Sequence, residues 1–317
     1  MDVLQDFQLT SVSGRIEQGS EAAFQATPLR MRSLLGPLAL LPGTWKGRGF
    51  NQIWRPFHGS QDRFLELNET IETLEFDEIP GDIPNRGLLQ NDINLHGIRY
   101  LQQIQDAHVL GPNHKLAGIH IEPGLWLTTP ATTNPGDPTT VARLANIPHG
   151  TSLCAQGSSS STNSGPEIQP VSITPFTIGN PNGKIQFPES NLSTPSQFRT
   201  PHADIPNVTQ AMVDNPNSVL SAALAGHAII GTTALRVSTR PLNPPTTGGG
   251  TSNIAFLQGA GGGPNANTAE VDATFWIEIV REPNGAIKHQ LQYSQTVLLN
   301  FNGLSWPHVT VATLVKQ

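Results

Sequence analysis

The chain has 317 residues, 37% of them hydrophobic and only 13% charged, which is ample for one large core or two modest ones. Its net charge of -6 argues against nucleic acid or an anionic membrane as the main partner, since both select basic stripes. The lone cysteine, Cys154, excludes an internal disulfide framework; with no long apolar run and no basic-then-apolar order in MDVLQDFQLTSVSG, the sequence predicts a cytoplasmic protein whose partner is a small apolar or gaseous ligand.

Residues 1–26 are polar and weakly periodic and read as an N-terminal arm, leaving 27–317 as a single domain. An apolar stretch over 30–41, broken by Gly36 and Pro37, predicts a helical turn leading into a sheet, and GTWKGRGF opens the first strand. Over 63–78 the alternation shifts face around Thr70, as it does at a bulge or bend. Residues 119–128 and 142–154 are further strands, each ended by Gly or Pro. Between about 156 and 267 the tracts GSSSSTNSG, TTGGGTSN and GAGGGPNAN predict a loop-rich insertion, within which 219–238 is apolar enough to form a helical turn and a strand. Three β-rich runs, 271–281, 287–301 and 308–316, then follow, joined by Pro283-Asn284-Gly285 and Asn302-Gly303. With no α/β alternation, the fold class is all-β, and a closed antiparallel barrel is the natural way to remove its edges.

On the last of these strands His308 shares a face with Thr310, Ala312 and Leu314, while Val309, Val311, Thr313 and Val315 point the other way. Small side chains below an imidazole leave a hollow that suits a flat macrocycle. The same pattern also suits a strand-end histidine that is merely solvated or hydrogen-bonded, and spacing alone does not decide between them.

Three blocks carry a resemblance. LGPLALLPGTWKGRG, with Gly43, Trp45, Gly47 and Gly49 in a Gly-x-Trp-x-Gly-x-Gly strand, resembles the opening of nitrobindin-type haem barrels. IHIEPGLW is similar to that family's strand with His, Glu and Gly before an aromatic residue. LQYSQTVLL followed by LSWPHVTVATLVK resembles its last two strands. The resemblance covers roughly the first half and the last fifth of the chain. It implies a closed, calycin-like antiparallel barrel holding haem b, with His308 as the iron ligand and Trp306, Thr310, Ala312 and Trp45 around the cofactor. The family binds nitric oxide and isomerises peroxynitrite. The long insertion, which the family lacks, points instead to a roofed chamber and to haem-dependent oxidation of a small apolar molecule, such as an aryl alkene, by oxygen or peroxide. The alternatives are a nitric oxide binder or peroxynitrite isomerase, and a haem-free calycin-like lipid carrier.

His120 and His227 are the candidate distal, catalytic histidines, with His96 beside them. Cys154 is expected to be a buried, inert thiol. The acidic run Glu66, Glu69, Glu72, Glu75, Asp77, Glu78 is expected to face solvent for the most part. GAGGGP lacks the Lys-Ser/Thr and the strand-then-helix setting of a phosphate loop.

Overall fold

The computed structural model describes residues 34–57, 62–112, 114–134, 136–241, 248–258 and 265–317; the N-terminal arm expected over 1–26 lies outside them. A short turn (Gly36–Leu38), with Pro37 in its first turn, leads into β1 (Gly43–Pro56) and β2 (Arg63–Glu78). Next come β3 (Ile83–Asn85), β4 (Ile93–Leu110), β5 (Leu116–Thr129), β6 (Thr140–Ile147), β7 (Thr151–Thr162), β8 (Phe176–Thr177) and β9 (Ala228–Ser238). They are followed by β10 (Gly248–Asn253), β11 (Asn267–Arg281), β12 (Ile287–Phe301) and β13 (Leu304–Lys316). Ten of them run in the antiparallel order β1-β2-β4-β5-β6-β7-β9-β11-β12-β13, and β13 pairs back onto β1. The result is a closed ten-stranded barrel, consistent with a calycin-like fold. Among the described residues no helix is long and apolar enough to cross a membrane.

The glycines of the opening motif make this closure possible. A Cβ at Gly47 would stand 2.0 Å from the Thr313 carbonyl oxygen, and one at Gly49 would stand 2.4 Å from that of Val311, so β1 approaches β13 more closely than a side chain allows. The Asn302-Gly303 turn behaves as its sequence demands: both residues have positive φ, 48° and 73°, the requirement of the hairpin turn whose twist matches its strands.

One end of the barrel is plugged. Trp45 is fully buried there, with Nε1 donating to the Leu41 carbonyl at 2.7 Å, and the Lys316 ammonium lies 5.2 Å from its ring centre while donating to the Leu40 carbonyl. Above it, Phe275 stacks on Tyr293 with centroids 5.1 Å apart and meets Trp126 edge-on at 5.2 Å.

The region expected to be one loop-rich insertion is two excursions separated by β9, which is a wall strand of the barrel. The tract GSSSST is no loop: it is the end of β7, paired with β9 from Gly157↔Val237 to Thr162↔Thr232. Backbone ladder bonds hold a strand whatever its side chains, so a Ser-rich composition misleads here.

The first excursion, 163–227, carries α1 (Gln210–Asp214) and α2 (Ser218–Ala223) and covers the outer face of β1, β12 and β13. Gln52 donates to the Met212 carbonyl at 2.7 Å, Gln292 donates to that of Leu220 at 3.0 Å, and outward-facing Val309 and Val311 are fully buried. This second layer corrects one expectation. The β1–β2 register runs unbroken from Gly43↔Phe76 to Pro56↔Arg63, so β2 has no bulge. Its apparent change of face arises because Leu65 and Leu67 point outward yet are buried; the backbone of Leu65 bonds to Phe198 and Thr200 of the excursion. Of the acidic run, Glu75 and Asp77 are exposed, while Glu72 lies on the inward face at 1% exposure. Cys154 is exposed rather than buried, because β7 alternates and the inward positions belong to Leu153 and Ala155.

Candidate functional site

Opposite the plug lies a cavity of about 320 Å³ between the barrel walls. Its apolar lining comes from Ile53, Ile104, Ile119, Ile147, Val297 and Leu299. Arg55, Pro56 and Glu66 stand where β1 gives way to β2, and Leu257, from α3 (Ala255–Gln258), joins them with Ala266, so it is the second excursion, not the first, that borders the chamber.

Three histidines face this cavity. His308 comes from β13. His120 comes from β5, separated from β13 by β1, β2 and β4 on one side and by five strands on the other, so the two imidazoles stand on nearly opposite walls. His149 follows Pro148 in the β6–β7 turn, with its ring 5.6 Å from that of His120. His120 and His149 also line a groove of about 430 Å³ with Gln103, Gln105 and Gly118, where the β4–β5 ladder loses register.

His308 donates from Nε2 to Asn51 Oδ1 at 2.7 Å, and Thr310 donates to the same oxygen at 2.9 Å. Among the described residues no group hydrogen-bonds Nδ1. Burial, with His120 and His149 nearby, pushes the His308 imidazole down to about 3, so it is neutral at physiological pH. Burial and His120 also lower His149.

The floor of the chamber is charged but paired. Arg143, on β6, bonds Glu122, Tyr100 and, at 2.5 Å, Gln295, whose other side faces the cavity. Glu122 in turn meets His120 Nε2 at 3.3 Å. Burial alone would raise the Glu122 carboxyl; Arg143 and the hydrogen bond from His120 outweigh it and hold it at about 2. A second cluster joins Tyr293, which lines the cavity, to Glu72: the Tyr293 hydroxyl donates to Oε2 at 2.6 Å and Thr70 donates to Oε1 at 2.8 Å. Burial pushes Glu72 up to about 7, outweighing the hydrogen bonds from Tyr293, Thr70 and Gln102.

The two carboxyls carry opposite pH signs. Glu72 keeps its proton in the fold through the interval, from about 4.5 to 7, where the unfolded chain has lost it, so its contribution is full below that interval and is lost as pH rises through it. Glu122 contributes above about 4.5 and loses its contribution only as pH falls toward 2. Glu72→Gln should therefore flatten the decline in urea stability between pH 5 and 7.5 by up to about 3 kcal/mol, since each tenfold change in proton affinity is worth about 1.4 kcal/mol. Parallel curves for the variant and the native chain would contradict this.

Of the residues singled out in the sequence, the structure brings His308, Thr310 and His120 to one chamber. The others lie elsewhere. Trp306 donates to the Phe301 carbonyl and stacks on Phe301 and Phe187 beside Trp54, in the seam with the first excursion. Ala312 is buried deeper on the inward face, and Trp45 is in the plug. His227 is exposed ahead of β9, and His96 pairs with Asp82 at 2.9 Å outside the chamber. His149, Asn51, Glu122 and Arg143 were not singled out in the sequence; the one signal of the last three, inward parity on paired strands, requires knowing the register, and His149, in a turn, carries none.

His308 brings one neutral imidazole to the chamber. Among the described residues no cluster of three His, Cys, Asp or Glu is arranged to hold a metal. A porphyrin brings its own nitrogens and asks one axial ligand of the chain, which a neutral imidazole can offer only through the nitrogen that lacks the proton. The chamber volume, by contrast, is at the low end for small-molecule sites. No protein-family model, no curated protein and no solved structure matches the chain.

Proposed function

We propose that this chain is a b-type haem protein of the nitrobindin-like kind, in which His308 holds the cofactor and the chamber admits a small apolar substrate for oxidation. One observation carries the reading: a neutral imidazole on one barrel wall faces two further imidazoles on the opposite wall across a chamber lined largely by aliphatic side chains. When bound, the haem iron supplies the activation of oxygen or peroxide. The chain's own groups do the rest. His308 provides the axial nitrogen. Ile53, Ile104, Ile119, Val297 and Leu299 exclude water and hold an apolar molecule such as an aryl alkene. His120, whose Nε2–H is held by Glu122 at 3.3 Å, would present Nδ1 to the chamber as a proton acceptor.

Haem-loaded protein mixed with an aryl alkene and either oxygen or hydrogen peroxide should form oxidised product, and His120→Ala should slow that turnover by about 10²-fold or more. Faster peroxynitrite decay in stopped-flow, with no alkene oxidation, would instead mark a peroxynitrite isomerase. A haem-free carrier of a small apolar ligand is the second reading, favoured by the modest chamber volume and by the engagement of His308 Nε2 with Asn51.

A further inference from the structure

We infer that Asp106, through Asn68 and Asn51, dictates which nitrogen of His308 carries the proton, and therefore which one keeps its lone pair. The strand register builds the chain of contacts. Asn51 on β1 is paired with Thr310 of β13 on one side and with Asn68 of β2 on the other, and Asp106 of β4 is paired with Thr70, two residues beyond Asn68. All three relay side chains are at most 7% exposed.

The direction of each bond follows from the far end. The β4–β5 ladder is interrupted between Gln105 and Leu110, and Asp106 Oδ1 accepts the N–H groups of His108 at 2.8 Å and Val109 at 2.9 Å. Its other oxygen, Oδ2, accepts from Asn68 Nδ2 at 2.8 Å. Because Asn68 must present its NH₂ to that oxygen, it turns Oδ1 to Asn51, whose Nδ2 donates at 3.1 Å. Asn51 is left with Oδ1 facing His308 and Thr310, and an amide oxygen can only accept. Nε2 of His308 therefore holds the hydrogen, and the lone pair resides on Nδ1.

The same logic makes a sharp forecast for Asp106→Asn, which replaces one oxygen by an isosteric NH₂. The two backbone N–H groups keep Oδ1, so the new NH₂ faces Asn68. Asn68 must turn over to accept, Asn51 must turn over in response, and His308 Nε2 becomes an acceptor with the proton moved to Nδ1. The inference deepens the reading of His308 as a ligand but is tested apart from it. Asp106, Asn68 and Asn51 are positioning residues.

The experiment is a long-range ¹H–¹⁵N correlation spectrum of the full-length chain, ¹⁵N-labelled at histidine and prepared without haem, with the His308 signals assigned by their loss in His308→Ala. The native chain is expected to show the Nε2–H tautomer, Asp106→Asn the Nδ1–H tautomer, and Asn68→Ala, which cuts the relay, a mixture. An Nδ1–H tautomer in the native chain overturns the inference without any variant, and so does an Asp106→Asn spectrum that keeps the native tautomer in a folded protein. If the tautomers come out as expected while the chain never retains haem, the relay stands and the haem reading falls. A native chain that binds haem yet shows the Nδ1–H tautomer overturns the relay and leaves the haem reading standing.

Discussion

Replacing His308 with alanine is expected to weaken haem retention by more than about a hundredfold while leaving the barrel folded, since loss of a mere outer-shell partner already costs 10–100-fold in comparable sites. The far-ultraviolet circular dichroism should stay that of a β-protein. His308 lines the cavity and makes one short hydrogen bond, to Asn51 Oδ1, an atom that Thr310 still satisfies in the variant, beside a long 3.4 Å contact with the Thr310 hydroxyl. The stability cost is therefore about 1 kcal/mol, the net worth of a single hydrogen bond. His227→Ala is the matched control, because that side chain is exposed ahead of β9 and touches nothing in the chamber. Equal haem retention by the two variants would remove His308 from the ligand position.

Arg143→Leu is expected to be among the most damaging single changes in the barrel, costing about 3–5 kcal/mol in urea unfolding, as breaking a buried ion pair does by stranding one partner. Arg143 is 1% exposed and Glu122 is fully buried. Removing the guanidinium leaves the carboxylate without its counter-charge, and also removes the donors to Tyr100 and Gln295. Its ring contacts go too: the guanidinium carbon lies 5.2 Å from the centre of Phe275 and 5.6 Å from that of Tyr100. The double variant Arg143→Leu with Glu122→Leu should recover a large part of the loss, because two apolar side chains of similar bulk need no pairing. A double variant as unstable as the single one would show that packing, not stranded charge, sets the cost.

Much of this architecture is legible in the sequence because it is written in local chemistry. Asn302-Gly303 declares its hairpin, whereas Gly47 and Gly49, read only as part of a family motif, turn out to form the close seam between β1 and β13. Strand parity alone put His308 and Thr310 on one face, and that face lines the chamber. What escaped is non-local. Parity at Leu65 and Leu67 was misread because nothing nearby announces that residues 163–227 cover the outer wall; a strand buried on both faces loses its alternation. Asn51, Asn68 and Asp106 look like ordinary strand polars until the register aligns them across three neighbouring strands. Glu122 and Arg143 are 21 residues apart and become a pair only when the barrel closes around them. Trp306 stands two residues from His308 within β13, yet its indole packs on Phe187 and Trp54 and not in the chamber.

The most direct test is the absorption spectrum of the freshly purified native chain, recorded before any cofactor is added. A Soret band that moves when carbon monoxide is added to the reduced protein, and that is absent from His308→Ala, is the result expected of a His308-ligated haem. A colourless native protein that also fails to take up added haem, while holding a small apolar ligand in the same chamber, would contradict it.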